Sequence, residues 1–301
     1  MTEYNNTQDL LFRLDIAKNE LFFLPDFVSP KSSVLLKVYK RMAFLYYLIY
    51  DNDNALSYIE KAIDVISNNE ALNQKEMADA LSLKCKYQQL LGQSYSAIST
   101  GESAKELYCS LKIDSNDYVE LLSDLSMAYS YTLQHEKALE IQKQAISIYE
   151  KSHDWLSLVE SLNLAAHYYQ SMEKLDEAEQ YSQKAIKYLY DHDNAIQYIK
   201  DTELLDDTSI ITPQKIEAVK DRIAIDKGNC LQTLARINFK KGNLNEAILL
   251  EKENGNLIKA RDDDEMYSVH LLTLSQYYQE NHQYAESISC CEQCIDIVKD
   301  Q

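Results

Sequence analysis

Glycine occurs five times and proline three times in 301 residues, against roughly 12% combined in average usage. No two glycines lie closer than Gly92 and Gly101, so neither a GxGxxG dinucleotide turn nor a GxxxxGK[ST] phosphate loop can form. Folds made of strands need frequent tight turns and are excluded on the same ground. Long apolar runs are missing too. The stretch 10–24 carries Arg13, Asp15, Lys18 and Glu20, which rules out a membrane span there. The opening MTEYNNTQDL has no basic segment ahead of an apolar one, so no secretory signal is expected. Basic residues are outnumbered, 30 Lys and Arg against 48 Asp and Glu, a net charge of −18. That balance argues against binding a phosphate backbone, which rests on Lys and Arg, and no direct nucleic-acid partner is expected. The six cysteines are scattered through helical pattern (85, 109, 230, 290, 291, 294), which reads as reduced thiols in a cytoplasmic protein rather than a disulfide framework. Apolar residues make up 46% of the chain, ample for a core. What remains is a nearly all-helical protein.

The helices repeat. NALSYIEKAI (54–63), SAISTGESAK (96–105), KALEIQKQAI (137–146), EAEQYSQKAI (177–186), EAILLEKENG (246–255) and ESISCCEQCI (286–295) align on Ala55, Ala97, Ala138, Ala178, Ala247 and Ser287. These anchors are separated by 42, 41, 40, 69 and 40 residues. Seven positions later stand Ala62, Ala104, Ala145, Ala185, Asn254 and Cys294, and twelve positions earlier Ala43, Cys85, Ser126, Ala166, Ala235 and Ser275. Three residues beyond that second small residue come Tyr46, Tyr129, Tyr169 and Tyr278, with Gln88 and Asn238 in the other two repeats, next to Tyr87 and Phe239. Small residues let two antiparallel helices approach closely, and a ring fills the gap beside them. A short polar turn joins the two helices, with Gly92 and Gly242 at one equivalent point suited to a left-handed stop.

This small–aromatic–small–small pattern resembles the tetratricopeptide repeat, in a long form similar to kinesin light chains and bacterial Rap- and PlcR-type receptors. The resemblance runs from about residue 36 to residue 300. It implies an all-α, right-handed α-solenoid of six helical hairpins. Residues 1–35 are expected to form an N-terminal capping helix (6–24, ended by Pro25 and Pro30) and a linker, and residues 36–301 the solenoid. The 69-residue step leaves 29 residues beyond a normal repeat, too few for another. Its apolar spacing, and Thr212-Pro213 as helix cap and first turn, predict that the helices on both sides are lengthened into an extended helical hairpin over 190–226.

Motifs for chemistry are scarce. Cys291 and Cys294 form a CxxC, but no second pair completes a zinc site, and both fall where small packing residues belong. The run Asp262–Glu265 lacks the spacing of a calcium loop and precedes a helix, where acid is favourable. No HExxH or GxSxG occurs among the histidines and serines. No catalysis, cofactor or metal is expected. A dispersed active site would need His167 with Glu160 and Arg236.

In the family that the chain resembles, the first helix of each hairpin lines a concave groove. The residues carried there are Tyr47, Lys86, Gln89, Tyr131, Asn163, His167, Gln170, Asn229, Gln232, Arg236, Phe239 and Gln276. Amides offer donors and an acceptor to an extended peptide backbone, and the rings hold apolar side chains. A carboxylate clamp of the kind found in chaperone-binding relatives is absent: Lys40 fits one position, but Phe44, Leu83, Glu120 and Asp124 stand where Asn, Asn and a basic pair belong. The expected partner is a protein or peptide segment bound without catalysis, by an adaptor or the sensory part of a larger protein. The 35 residues ahead of the first repeat are too few for the effector domain of Rap or PlcR receptors. A self-assembling scaffold, docking through the hairpin or the last repeat, is the alternative.

Overall fold

The computed structural model describes residues 10–19, 33–69, 74–152, 154–192, 194–203, 211–261 and 263–299. All regular structure among them is helical: α1 (10–19), α2 (Ser33–Leu48), α3 (Asn52–Ser67), α4 (Gln74–Leu90), α5 (Ser94–Leu111), α6 (Asn116–Tyr131), α7 (His135–Tyr149), α8 (Trp155–Ser171), α9 (Leu175–Asp191), α10 (Ala195–Glu203), α11 (Pro213–Lys240), α12 (Leu244–Lys259), α13 (Asp264–Glu280) and α14 (Tyr284–Lys299). Two compact units divide within α7, residues 1–144 and 145–301. Each is a stack of helical hairpins, so the fold is an all-α solenoid. The first helix of each hairpin is called A here (α2, α4, α6, α8, α11, α13) and the second B.

The repeat positions carry the packing. The anchor alanines, and Ala62, Ala104, Ala145 and Ala185 seven residues on, have no exposed surface. Ala43, Cys85, Ser126, Ala166 and Ala235 are equally closed off, and Ser275 is buried. At such contacts one added methylene forces the helices apart, typically at about 1–3 kcal/mol. Tyr46, Tyr129, Tyr169 and Tyr278 are buried, and so are their two amide replacements, Gln88 and Asn238. Asn238 satisfies itself by donating to the Leu234 carbonyl at 3.0 Å and accepting from Asn243 Nδ2 at 3.1 Å.

Each A helix ends in the same way. Asp51, Gln93, Gln134, Lys174, Asn243 and Gln283 donate their backbone N–H to the carbonyls of Tyr46, Gln88, Tyr129, Tyr169, Asn238 and Tyr278, at 2.8–3.0 Å. The residue before each donates to the carbonyl three back, and has positive φ: Tyr50, Gly92, Leu133, Glu173, Gly242 and His282. This is the Schellman termination, used six times although glycine supplies it twice. The same turn residue then starts the B helix, its carbonyl accepting from the anchor N–H, as Gln93 does from Ala97 at 2.9 Å.

Outside the repeat, α1 buries Leu14 and Ala17 against Leu35, Leu36 and Met42 of the first hairpin. The remainder of the expected 6–24 helix, with Pro25 and Pro30, lies outside the described residues. The long step is resolved unevenly. The B helix before it is not lengthened: α9 stops at the His192 cap. After it, α11 runs 28 residues from Pro213, with Thr212 accepting from the Lys215 N–H. Between them α10 turns back onto the start of α8, where the Tyr198 hydroxyl donates to Asp154 at 2.7 Å and its ring meets Trp155 edge-on at 5.2 Å. A helical strip with Ala195, Tyr198 and Ile199 buried gains more from packing on α8 than from prolonging α9 into water. Residues 204–210 of the expected hairpin lie outside the described residues.

One junction departs from the repeat rule. Glu251 on α12 is fully buried, and its Oε1 lies 2.8 Å from Nδ1 of buried His270 on α13. A Cβ on Gly255 would fall on the His270 imidazole, and one on Gly228 would approach Asn254 Oδ1 at 2.9 Å. Two glycines thus make room for two polar side chains inside the stack.

Candidate functional site

Glu160, Asn163, His167 and Gln170 stand three, four and three residues apart, which places them on one face of α8. The neighbouring A helix, α11, runs parallel to α8 in constant register: Arg222 pairs with Ser157 and Thr233 with His167, 65 and 66 residues apart. The two helices therefore present a joint polar surface in the second unit.

At its N-terminal end the surface is heavily cross-linked. Asp154 caps α8, accepting from the Ser157 N–H at 3.1 Å, from the Ser157 hydroxyl at 2.6 Å and from Tyr198. The Arg222 guanidinium donates to Ser157 Oγ at 3.3 Å and lies 3.5 Å from Glu160 and 3.8 Å from Asp226. Burial pushes the Asp226 carboxyl up to about 7, with Arg222 opposing and Glu160 adding to the rise. Further along, His167 Nε2 lies 3.0 Å from the Thr233 hydroxyl. Burial, helped by the Arg236 charge, pushes this imidazole down to about 4, so it is neutral at physiological pH. Glu160 pairs with Arg222 and not with His167, so the only catalytic grouping legible in the sequence is divided between two partners.

Three buried polar atoms on this surface have no hydrogen-bond partner: Asn163 Oδ1, Asp226 Oδ2 and Gln170 Nε2. A buried polar atom left unpaired costs about 1–3 kcal/mol, and such atoms are few in folded proteins. Here two acceptors and one donor fall on two adjoining helices. Asp226, Arg222, Ser157 and Thr233 are not among the residues expected from the sequence, since the contacts that gather them run between repeats. The sequence offset between the two repeats is 69, whereas the contacts fall at 65 and 66, about one helical turn away, so repeat register does not pair these residues.

The expected groove residues occupy varied settings. In the second unit Asn229, Arg236 and Gln276 are exposed, and Asn163, His167 and Gln232 half-buried. Gln170 is buried, and Phe239 is stacked on Tyr277 at 4.6 Å. In the first unit Tyr131 is exposed and Gln89 half-buried, while the Lys86 ammonium sits 5.0 Å from the Tyr47 ring centroid. Tyr47 also lies against Tyr87 at 5.8 Å. Asp263, from the acidic run, caps α13 by accepting from the Met266 N–H at 3.0 Å. Cys294 is buried and Cys291 half-buried, both as free thiols. Among the described residues no helix is long and apolar enough to cross a membrane.

Residues 117–191 match the family model of the tetratricopeptide repeat. No curated protein matches the chain in sequence. Among solved structures, the TPR-like repeats of a kinesin light chain candidate from Podosopora anserina superpose with a TM-score of 0.54 at 18% identity, covering 76% of this chain and 97% of that one. Aspartyl phosphate phosphatase F from Bacillus subtilis gives 0.59 at 16% identity, over 98% and 69% of the two chains. A Rap protein complexed with Competence and Sporulation Factor gives 0.51 at 14% identity, over 95% and 80%. At these identities the likeness is one of fold. Residues 117–191 thus match tetratricopeptide repeats in sequence, and the hairpins before and after them share the fold of such repeats.

Proposed function

We propose that this chain is a protein-binding repeat module that holds an extended peptide segment along its A helices, without chemistry of its own. The observation that carries this reading is the joint polar face of α8 and α11, on which Asn229 and Arg236 are exposed and Asn163, His167 and Gln232 half-buried. The side-chain amides of Asn163, Asn229 and Gln232 carry both donors and an acceptor. An extended backbone offers N–H and C=O groups in alternation. Exposed Asn229 and Arg236 are seven residues apart on one helix, about 10 Å at 1.5 Å per residue, which three residues of extended chain span at about 3.3 Å each. Gln276, also exposed, stands on α13 at the register of Arg236, and in the first unit Lys86 takes the register of His167, Tyr47 and Gln89 that of Gln170, with Tyr131 one residue further along its own A helix. The Rap protein solved with Competence and Sporulation Factor supports the reading by analogy.

The test is capture from a lysate of the source cell by the intact chain and by a variant with Asn163, Gln232 and Arg236 all changed to alanine. A partner held by the first and lost by the second is the expected result. Equal capture by both places the binding surface elsewhere and sinks the assignment.

A further inference from the structure

The buried pair of Glu251 and His270 has one atom that packing leaves unused. His270 is 3% exposed, and its Nδ1 lies 2.8 Å from Glu251 Oε1, which also accepts from Asn254 Nδ2 at 3.3 Å. An oxygen that accepts from the amide accepts from the ring as well. Nδ1 therefore carries the proton, and Nε2 of the neutral ring keeps its lone pair. Tyr267 stacks on the imidazole at 5.5 Å and fixes its plane, and the Nε2 edge turns toward Gly255. No hydrogen bond among the described residues reaches Nε2, yet it is not one of the unpaired polar atoms sealed from solvent. It opens on a cavity of about 370 Å³ between α12, α13 and α14, which His270 and Gly255 both line.

The other repeats show that the stack does not require this arrangement. Val38, Ala80, Leu121, Ser161 and Cys230 stand at the register of His270, and all are buried without a ring nitrogen. At the register of Glu251, Gln142 is equally buried and accepts from the Ser126 hydroxyl at 2.7 Å. A neutral amide thus serves inside the stack, where a carboxylate is harder to hold. What the carboxylate adds is a fixed tautomer, with the second nitrogen left free as an acceptor.

We propose that this cavity binds a small uncharged phenol, whose O–H donates to His270 Nε2. Its volume lies at the small end of ligand pockets, which run from about 300 to 1,000 Å³. Buried Leu271, Leu274 and Tyr278 line it and suit a flat apolar ring. A single acceptor at the base calls for a single donor on that ring. The mouth is framed by exposed Lys252 and Glu286, one charge of each sign, and so draws neither an anion nor a cation. The Lys252 ammonium is already engaged, 5.3 Å from the Tyr278 ring centroid. Behind the imidazole, the Glu251 carboxylate repels an anion from the base. This site is apart from the α8 and α11 face, and either reading stands without the other.

Titration of the full chain with p-cresol tests it, followed through the imidazole nitrogen resonance of His270, assigned by through-bond correlation. The expected result is a saturable shift of that resonance. Toluene, with the same ring and no hydroxyl, should bind about tenfold more weakly. Ser289→Trp, at the exposed mouth, should abolish binding with no change in melting temperature or helical circular dichroism. Absence of a saturable shift overturns the proposal, and the cavity then holds water alone. Toluene bound as tightly as p-cresol overturns the role of Nε2, and binding that survives Ser289→Trp puts the ring outside the cavity and overturns the site.

Discussion

Leu133 sits at φ 60°, in the left-handed turn between α6 and α7, with its side chain 79% exposed. Its N–H donates to the Ser130 carbonyl at 2.9 Å, a bond that any residue at this position can make. Replacement by glycine relieves the clash between Cβ and the following carbonyl, about 1–2 kcal/mol. The extra freedom of glycine in the unfolded chain cancels about 0.5–1 kcal/mol of that. Loss of the one-fifth of the leucine side chain that is in contact removes about 0.4 kcal/mol more, from about 1.5–3 kcal/mol for full burial. The balance is a small gain, about 0.4 kcal/mol. Leu133→Ala keeps the strain and loses the contact, so it costs about 0.4 kcal/mol. The two substitutions should thus differ in sign. Gly92, the equivalent residue one repeat earlier, has φ 72° and open space where a Cβ would go. Gly92→Ala should therefore cost about 0.8 kcal/mol through backbone strain alone. Equilibrium urea unfolding of the parent and the three variants measures all of this, provided that the slope is shared. A Leu133→Gly chain less stable than Leu133→Ala would show that the turn is not strained at this residue, and the account of the six terminations would fail.

Gly255→Ala pushes a methyl into the His270 ring and should cost about 1–3 kcal/mol by overpacking, read as a lower unfolding midpoint. Tyr198→Phe removes the hydroxyl that donates to Asp154 at 2.7 Å and should cost about 1–2 kcal/mol; faster amide exchange in α10 would locate the loss. Asp226 holds its proton up to about 7, against an ordinary 3.8. Between those values the folded chain binds more protons than the unfolded one, so this group's contribution to stability falls as pH rises through the window and stays lost above it. Asp226→Asn should accordingly raise the melting temperature above pH 7 and converge with the parent near pH 4. His167 acts with the opposite sign: its pKa is depressed from 6.5 to about 4, so its contribution is complete above 6.5 and lost as pH falls toward 4. His167→Asn should flatten that acid limb in melts followed across the same range.

The hairpins were legible because a close helix crossing constrains both partners at once. Ala43 and Ala55, or Ala166 and Ala178, must both be small, and that coupling survives as a fixed spacing of twelve. The terminations were half legible. Gly92 and Gly242 mark two of them, but the bonds that close the turn are made by backbone groups, so Tyr50, Leu133, Glu173 and His282 adopt the same conformation without signalling it. The position of α10 was not legible at all. It depends on Tyr198 reaching Asp154 and Trp155 across more than 40 residues, and local apolar spacing suits a continuing α9 equally well. The A-helix face was readable by register as far as Asn163 and His167. Register alone does not tell that Gln170 is closed over by its surroundings, or that Asp226 and Arg222 gather beside Glu160. For Glu251 and His270 a sign was present. Position eight after the anchor holds Ile63, Lys105, Ile146, Ile186 and Ile295, large side chains throughout, and Gly255 breaks that series in the one repeat where Asn254 also replaces a small residue.

That break bears on how a chain of like hairpins assembles in the right order. Hairpins that share one packing code can in principle stack on the wrong neighbour, or on the same hairpin of another chain, during folding. Four of the other B helices carry isoleucine at the place of Gly255, and each would drive its side chain into the imidazole of His270. Helix α13 thus has a docking site on α12 that those helices lack, and a misplaced α13 would bury its histidine without a carboxylate to meet it. The polar pair works as an address: it adds less to the strength of the stack than to the certainty of its sequence.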